Sequence, residues 1–275
     1  MPELPEVETT RRGLLPTVVN QEIVRVIVRD RRLRWPIPPN LAKTLEKRVV
    51  GGVLRRGKYL LWDVEAASGG GYLLCHLGMS GALFATPATT PPARHDHVDI
   101  VLGNQTLVRY HDPRRFGAML WIKGAQAVHP LLAALGPEPL GEDFDGRHLF
   151  TASRGRVISV KEFIMNSHVV VGVGNIYAAE ALFLAGIRPT TAAGRLSRPR
   201  YELLAAAIRE TLTRAIDAGG SSLRDYRQVD GQPGYFQLNA MVYGRDGAPC
   251  RVCGSLIRVI RQGQRRTDFC AQCQR

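Results

Sequence analysis

Two stretches of this 275-residue chain carry residue types that can do chemistry, and they lie at opposite ends. The first is Met1-Pro2-Glu3-Leu4-Pro5-Glu6-Val7-Glu8. Removal of Met1 leaves Pro2 with a free secondary amine and a carboxylate, Glu3, beside it. An α-amino group has a pKa of roughly 8, so a fraction of it is deprotonated near neutral pH. Such an amine can attack a carbon bearing a leaving group and form a covalent intermediate. Joined to an aldehyde-type carbon, a secondary amine becomes an iminium that keeps its positive charge and acts as an electron sink. The competing reading is an ordinary Met-Pro start with easy Met removal, and short motifs alone carry a high false-positive risk.

The second stretch is Cys250-x-x-Cys253 and Cys270-x-x-Cys273, whose pairs are separated by 16 residues. That is close to the spacing of a four-thiolate zinc ribbon. Residues 256–261, a Gln262-Gly263 turn and residues 264–269 predict a β-hairpin between the two half-sites. Two disulfides are the alternative. The chain shows no signal peptide, and CxxC pairs rarely act as structural staples, so one zinc per chain is expected. Four thiolates leave no open position for a substrate, which makes the metal structural. The fifth cysteine, Cys75, sits in the apolar run Tyr72-Leu73-Leu74-Cys75 and is expected as a buried core thiol.

Charge suggests what such a hairpin serves. The formal net charge is +13, and arginine supplies 32 of the 37 cationic side chains. Residues 245–275 hold seven arginines against Asp246 and Asp268. An excess of this size points to a polyanionic partner, and arginine's planar fork suits phosphate. A GC-rich genome accounts for the arginine-to-lysine ratio but not for the net excess. No apolar run reaches transmembrane length, so nucleic acid is favoured over membrane as the partner.

The elements that must position these residues divide the chain. Length and apolar content allow two cores. The Pro- and Gly-rich stretch Leu135-Gly136-Pro137-Glu138-Pro139-Leu140-Gly141-Glu142-Asp143 marks the boundary. Before it, residues 23–28, 58–64, 72–77, 97–102, 106–110 and 118–122 predict short strands. With a helix at the N-terminus and another around residues 41–49, they imply a β-sandwich. After the boundary the pattern is helical. Asn175 is expected to cap a helix that ends before Gly186. A longer helix follows Ser197, with Pro199 in its first turn, Leu203, Leu204, Ile208, Leu212 and Ile216 as its apolar stripe, and Gly219 as its stop. The Gly-, Ser- and Asp-rich residues 219–234 resemble a functional loop. Val171-Gly172-Val173-Gly174-Asn175 reads equally as a phosphate-binding helix start or as a tight interhelical turn.

Together these motifs resemble the formamidopyrimidine-DNA glycosylases, bacterial repair enzymes for oxidised purines. The resemblance runs through residues 2–8, Arg55-Arg56-Gly57-Lys58-Tyr59, His76-Leu77-Gly78-Met79-Ser80-Gly81 and His95-Asp96-His97-Val98-Asp99. It continues through Asp112-Pro113-Arg114-Arg115-Phe116-Gly117, residues 171–177, Pro233-Gly234-Tyr235-Phe236 and the four cysteines. It implies an α+β multidomain chain: an N-terminal β-sandwich with flanking helices over 1–135, a linker over 136–145, a helix–two-turn–helix module over 146–243 and a zinc-ribbon hairpin over 244–275. DNA would lie in the cleft between the lobes.

The resemblance also implies roles. Pro2 would displace the damaged base at C1′, and Glu3 would act as acid or base in opening the sugar. Lys58 and Arg265 would serve the two eliminations, with Arg266 able to share the load of Arg265. Met79, Arg114 and Phe116 would fill the gap left by the extruded base, although core packing is the simpler reading of Met79 and Phe116. His95, Arg114 and Arg156 match the family's DNA contacts, and Asn175 its phosphate-binding asparagine. His95-x-His97 lacks a third metal ligand nearby. Asn166-Ser167-His168 departs from the family's acidic residue and more basic turn, which puts in doubt how the helix before Gly172 is capped. The implied partner is duplex DNA with oxidised bases, met by a cytoplasmic, nucleoid-associated monomer. Two other readings are an enzyme of the endonuclease VIII type, acting on oxidised pyrimidines, and a zinc-ribbon DNA binder without catalysis. Leu4 and Pro5 favour the purine enzyme, and a binder has no need of Pro2-Glu3.

Overall fold

The computed structural model describes residues 2–65, 69–124, 129–221, 229 and 236–275. The chain forms two compact units. One comprises Met1–Ala133 with Ala218–Tyr235, and the other Ala134–Asp217 with Phe236–Arg275.

The first unit opens with α1 (Leu4–Val18). Its start is fixed by Pro5 in the first turn and by a reciprocal capping box, in which the Glu3 backbone N–H donates to Glu6 Oε2 at 2.7 Å. Leu4, Val7, Leu14 and Val18 form its buried stripe. Then come β1 (Ile23–Val28), α2 (Leu41–Leu45), β2 (Val50–Arg56), β3 (Tyr59–Val64), β4 (Gly71–His76), β5 (Ala82–Pro87), β6 (Asp96–Leu102), β7 (Thr106–His111), β8 (Ala118–Lys123) and α3 (Pro130–Ala133). The strands build two four-stranded antiparallel sheets, in the orders β1-β6-β7-β5 and β2-β3-β4-β8. Ile23, Val98, Ile100 and Val108 of one sheet share a core with Val53, Leu60, Trp62 and Leu73 of the other, and α1 adds Val7, Leu14 and Val18. This is the expected sandwich. Cys75 is buried in the same core.

Three details differ from the sequence expectation. The helix predicted over residues 41–49 stops at Leu45, because Lys47 turns left-handed (φ 65°) and the β-branched Val50 joins β2. Strand β2 escaped prediction because Gly51 and Gly52 interrupt it at a register shift. Strand β5 escaped because it ends in Ala85, Thr86 and Pro87, without an apolar alternation.

The second unit contains α4 (Gly146–Ser153), α5 (Val160–Ile164), α6 (Asn175–Leu184), α7 (Arg198–Asp217), and the hairpin strands β9 (Arg258–Gln262) and β10 (Arg265–Phe269). Asp145 caps α4 by accepting from the His148 backbone N–H at 2.6 Å, and Ser159 caps α5. The cap of α6 is Gly174, so Asn175 is its first helical residue and its side chain is available elsewhere. On α7, Leu204, Ile208, Leu212 and Ile216 are buried as expected, but Leu203 faces solvent at 60% exposure. The hairpin turn is Gly263-Gln264, one residue later than expected, with Gln262 paired to Arg265. Both turn residues have positive φ (49° and 61°), the conformation that best joins two twisted strands. Ala179 and Phe183 of α6 pack with Val242, Cys250, Ile257 and Cys270, so the ribbon and the helices share a core.

Candidate functional site

In the first unit, the capping box fixes the chain start. Pro2 is buried, and Glu3 and Glu6 are 2% and 1% exposed. Glu6 Oε2 holds the Glu3 N–H, and its Oε1 accepts the Ser221 N–H at 2.7 Å. One carboxylate thus anchors the start of the chain and the segment that follows α7. Lys58 lies in the β2–β3 turn, just after Gly57 (φ 56°). Strand pairing sets Tyr59 opposite His76, with ring centroids 4.9 Å apart.

His76 lies beside these residues and was not singled out from sequence. Burial lowers its pKa to about 4, and the Lys58 and Arg34 cations push the same way. Its Nδ1 accepts the Gly78 N–H at 3.1 Å, which leaves the proton of the neutral ring on Nε2. The signal available in the sequence was its place three residues before Met79 in an otherwise apolar strand end.

Met79, Arg114, Phe116 and His95 belong to three loops that meet at one buried residue. Asp112 is 0% exposed. Its carboxylate accepts from Ser80 Oγ (3.2 Å), the Gly117 backbone N–H (2.9 Å) and Tyr110 Oη (3.3 Å). Its backbone N–H donates to the His95 carbonyl at 3.1 Å, and its carbonyl accepts from His97 Nε2 at 2.8 Å. The Gly78 backbone packs directly on the Phe116-Gly117 peptide, where a Cβ would come within 2.5 Å of Gly117 N and Phe116 C. Met79 and Phe116 are 38% and 43% exposed, so core packing does not account for either. The Arg114 guanidinium lies 4.9 Å over the Phe116 ring, while Arg115 pairs with Asp30 at 2.6 Å. A thioether, an aromatic ring and a guanidinium are thereby presented by loops tied to one carboxylate.

In the second unit, Asn175 and the hairpin are joined by Lys161, which sequence reading passed over. Lys161 is 1% exposed, and its Nζ donates to Asn175 Oδ1 (2.7 Å), Thr267 Oγ1 (2.6 Å) and the Arg266 carbonyl (2.9 Å). Three acceptors compensate the burial of its charge. Arg265 is exposed at the start of β10, beside a cavity of about 230 Å³ lined with Lys161, Glu162, Asn166 and Gln262. Arg266 is already engaged by Asp268 and Asp246, so it is poorly placed to share the load of Arg265. Arg156 is exposed on the loop between α4 and α5. The helix before Gly172, α5, ends at a Met165 C-cap, and the Asn166 backbone N–H closes its last turn by donating to the Phe163 carbonyl at 3.2 Å. His168 Nδ1 donates to the Ala134 carbonyl at 2.6 Å, and the Ser167 carbonyl accepts the Gly136 N–H at 2.8 Å, fastening the start of the linker.

The four ribbon sulfurs lie within 4.8 Å of one another, with Cys253 and Cys270 3.4 Å apart and Cys250 and Cys273 3.9 Å apart. Four sulfurs about 2.3 Å from a tetrahedral zinc are separated by about 3.8 Å, so the cluster fits the metal. Hydrogen bonds from the Ser255 backbone and side chain lower the Cys253 thiol to about 6, while burial and the neighbouring thiols push Cys273 up. Backbone N–H groups of Val252 and Cys273 point at Cys250 Sγ and Cys270 Sγ, each at 3.5 Å. Among the described residues no other group of His, Cys, Asp or Glu is placed to hold a metal, His95 and His97 included.

Three family models match the chain: the formamidopyrimidine-DNA glycosylase N-terminal domain over residues 1–119, the formamidopyrimidine-DNA glycosylase H2TH domain over 135–227, and the zinc finger found in FPG and IleRS over 247–275. The formamidopyrimidine-DNA glycosylases of Syntrophotalea carbinolica and Stutzerimonas stutzeri are 56% and 57% identical to this chain, and each match covers 100% of both proteins. Among solved structures, the MutM (Fpg) protein of Thermus thermophilus superposes with a TM-score of 0.88 at 41% identity, covering 99% of this chain and 98% of that one. The Lactococcus lactis Fpg in complex with abasic-site DNA gives 0.90 at 34% identity, covering 99% of each. The match spans sequence, fold and the four-cysteine cluster, so this chain belongs to the formamidopyrimidine-DNA glycosylase family and the cluster is its structural zinc site.

Proposed function

We propose that this protein removes oxidised purines, 8-oxoguanine and formamidopyrimidines among them, from duplex DNA and cleaves the resulting abasic strand. The observation that carries this reading is the buried, capped chain start, which sets Pro2 next to Glu3 at the head of a helix. Extruding the base costs a few kcal/mol, and Met79, Arg114 and Phe116 are suited to occupy the space it leaves. The Pro2 nitrogen bonds to C1′ as the bond from C1′ to the base breaks, and the departing base takes a proton from solvent. The new ammonium gives its proton to the Glu3 carboxylate, Glu3 passes a proton to the sugar ring oxygen, and the ring opens as the nitrogen lone pair forms the iminium. Loss of a C2′ proton then expels the 3′ phosphate, and a further proton loss expels the 5′ phosphate, since the iminium withdraws electrons through both steps. Lys58 and Arg265 serve as the proton-transfer and phosphate groups of these eliminations. The neutral His76 Nε2–H is a donor for a phosphate or sugar oxygen close to Lys58.

We assign residues 1–135 to catalysis, 136–145 to a linker, 146–243 to the helical DNA-binding module and 244–275 to the zinc finger. The enzyme would act as a monomer in the cytoplasm, at the nucleoid. Borohydride added during turnover of a duplex with one 8-oxoguanine is expected to cross-link the protein at Pro2. Mass spectrometry placing the adduct on Lys58 would overturn the assignment. Faster excision from a duplex with one oxidised pyrimidine would instead select the endonuclease VIII type of activity.

His95, Arg114, Arg156 and Asn175 are assigned to the DNA backbone. Each phosphate neutralised releases counterions, so affinity falls steeply with salt. Arg156→Ala is expected to weaken damaged and undamaged duplex alike, and to reduce the slope of log affinity against log salt by about 1. Titrations of both duplexes at several salt concentrations test this. A loss confined to lesion-bearing DNA would make Arg156 a base reader.

A further inference from the structure

Glu8 is 7% exposed, two residues beyond the capping box of α1, and receives three guanidinium groups. Arg11 donates to both of its oxygens (3.0 and 2.8 Å), Arg12 to Oε1 (2.9 Å) and Arg55 to Oε2 (3.1 Å). Arg11 and Arg12 are its helical neighbours, whereas Arg55 comes from β2, 47 residues away. Arg55 carries the link onward, donating through Nη1 to the Gly57 carbonyl at 3.2 Å. That carbonyl belongs to the peptide that precedes Lys58. A second link runs alongside, from Arg11 Nη1 to the Val53 carbonyl at 3.3 Å. One continuous path therefore joins the head of α1 to the turn that presents Lys58.

We propose that Glu8 and Arg55 are a positioning pair for the reaction, holding the Lys58 turn in register with the helix start that carries Pro2. The proposal rests on the roles given above to Pro2 and Lys58. Neither member of the pair touches the substrate. A bidentate-capable guanidinium suits the task, because it grips the carboxylate and the turn carbonyl at once in a fixed plane. Burial raises the pKa of Glu8, but the hydrogen bonds from Arg11 and Arg12 outweigh it and hold the carboxyl at about 2. The carboxylate stays charged across the working pH range. The catalytic need is geometric: the amine must reach C1′ while the lysine stays with the same sugar, and a misplacement of about 1 Å costs on the order of 100-fold in rate.

The test uses the full-length, zinc-loaded protein and two variants that conserve volume or charge, Glu8→Gln and Arg55→Lys, with their double. Turnover is measured on a duplex with one 8-oxoguanine and on a pre-formed abasic duplex, beside thermal unfolding. Each single variant is expected to lose about 30-fold in kcat on both substrates. KM should stay within about twofold of wild type, since the pair makes no contact with DNA. The double variant should be no slower than the worse single, because one path is broken in each. Turnover within threefold of wild type (~0.6 kcal/mol in the barrier,), a rise in KM in place of the fall in kcat, or losses that multiply in the double would each overturn the pairing. A lowered unfolding midpoint with wild-type kcat would do the same, leaving the pair a structural brace. Failure of the wild-type protein to form a Pro2 adduct would overturn the functional reading, and the pairing with it.

Discussion

Protein that retains any residue or acyl group ahead of Pro2 is expected to lose base removal, strand cleavage and borohydride trapping together. An acylated proline nitrogen is a tertiary amide whose lone pair is delocalised into the carbonyl, so it cannot attack C1′. The loss should be about 1,000-fold or more, the scale seen when a covalent nucleophile is deleted. Glu3→Gln is expected to separate the two chemistries. Removal of the acid–base group costs about 100- to 10,000-fold at the step that needs it. Excision of 8-oxoguanine should therefore stop, while a pre-formed abasic site, whose sugar already equilibrates with an open-chain aldehyde that Pro2 can attack without Glu3, should still be cleaved. The checks are excision and cleavage assays on N-terminally processed and extended protein, with the N-terminus verified by mass. Full activity in extended protein would transfer the nucleophile to another residue and return Pro2 to being an ordinary chain start.

Loss of the zinc is expected to be nearly as severe, but for binding rather than chemistry. Structural zinc contributes roughly 10–16 kcal/mol of apparent binding free energy in small finger domains. The hairpin strands have little apolar surface of their own: Arg258, Val259, Arg261, Arg265 and Arg266 are all exposed. Cys250 and Cys270, however, pack with Ile257, Val242 and Phe183, so the metal also secures a small core against α6. Cys253→Ser, or a strong chelator, should release the hairpin and lower affinity for duplex DNA by about 100-fold or more, as phosphate contacts are lost. The β-sandwich, with a separate core, should keep its own unfolding transition. Metal analysis should give one zinc per chain in the intact protein. Undiminished DNA affinity in metal-free protein would refute the role given to the ribbon.

The parts that were legible in the sequence depend on local spacing. Two CxxC pairs mark a thiolate cluster because knuckle geometry needs two intervening residues. Six strands of the sandwich, β1, β3, β4, β6, β7 and β8, announced themselves through apolar runs, and α7 through its caps and stripe. The missed features are decided by partners far along the chain. Nothing around Lys161 says that its ammonium is buried, since Thr267 lies 106 residues away. Asp112 sits in a Pro-Arg-Arg loop that reads as exposed, yet its acceptors are filled by Ser80, Tyr110 and Gly117. His76 is an ordinary strand-end residue until strand pairing brings it against Tyr59. The shifted hairpin turn is a subtler case, because Gln264 adopts the left-handed conformation that glycine usually supplies.

The junction at Asp112 bears on how such an enzyme searches. A wedge made of independent loops would have to be ordered afresh at every base pair it tests, at about 0.5–1.5 kcal/mol for each side chain immobilised. Here the loops carrying Met79 and Phe116 are already fastened to the buried Asp112 carboxylate, and the His95 loop to the Asp112 backbone N–H. Their ordering belongs to folding and is not repeated at each encounter. On the roles proposed for Met79 and Phe116, the wedge would behave as a stiff gauge, and the resistance it met would be set by the stacking of the DNA itself. Intact pairs would push it out and weakened ones would give way, so interrogation would proceed at the pace of base-pair opening and not of loop closure.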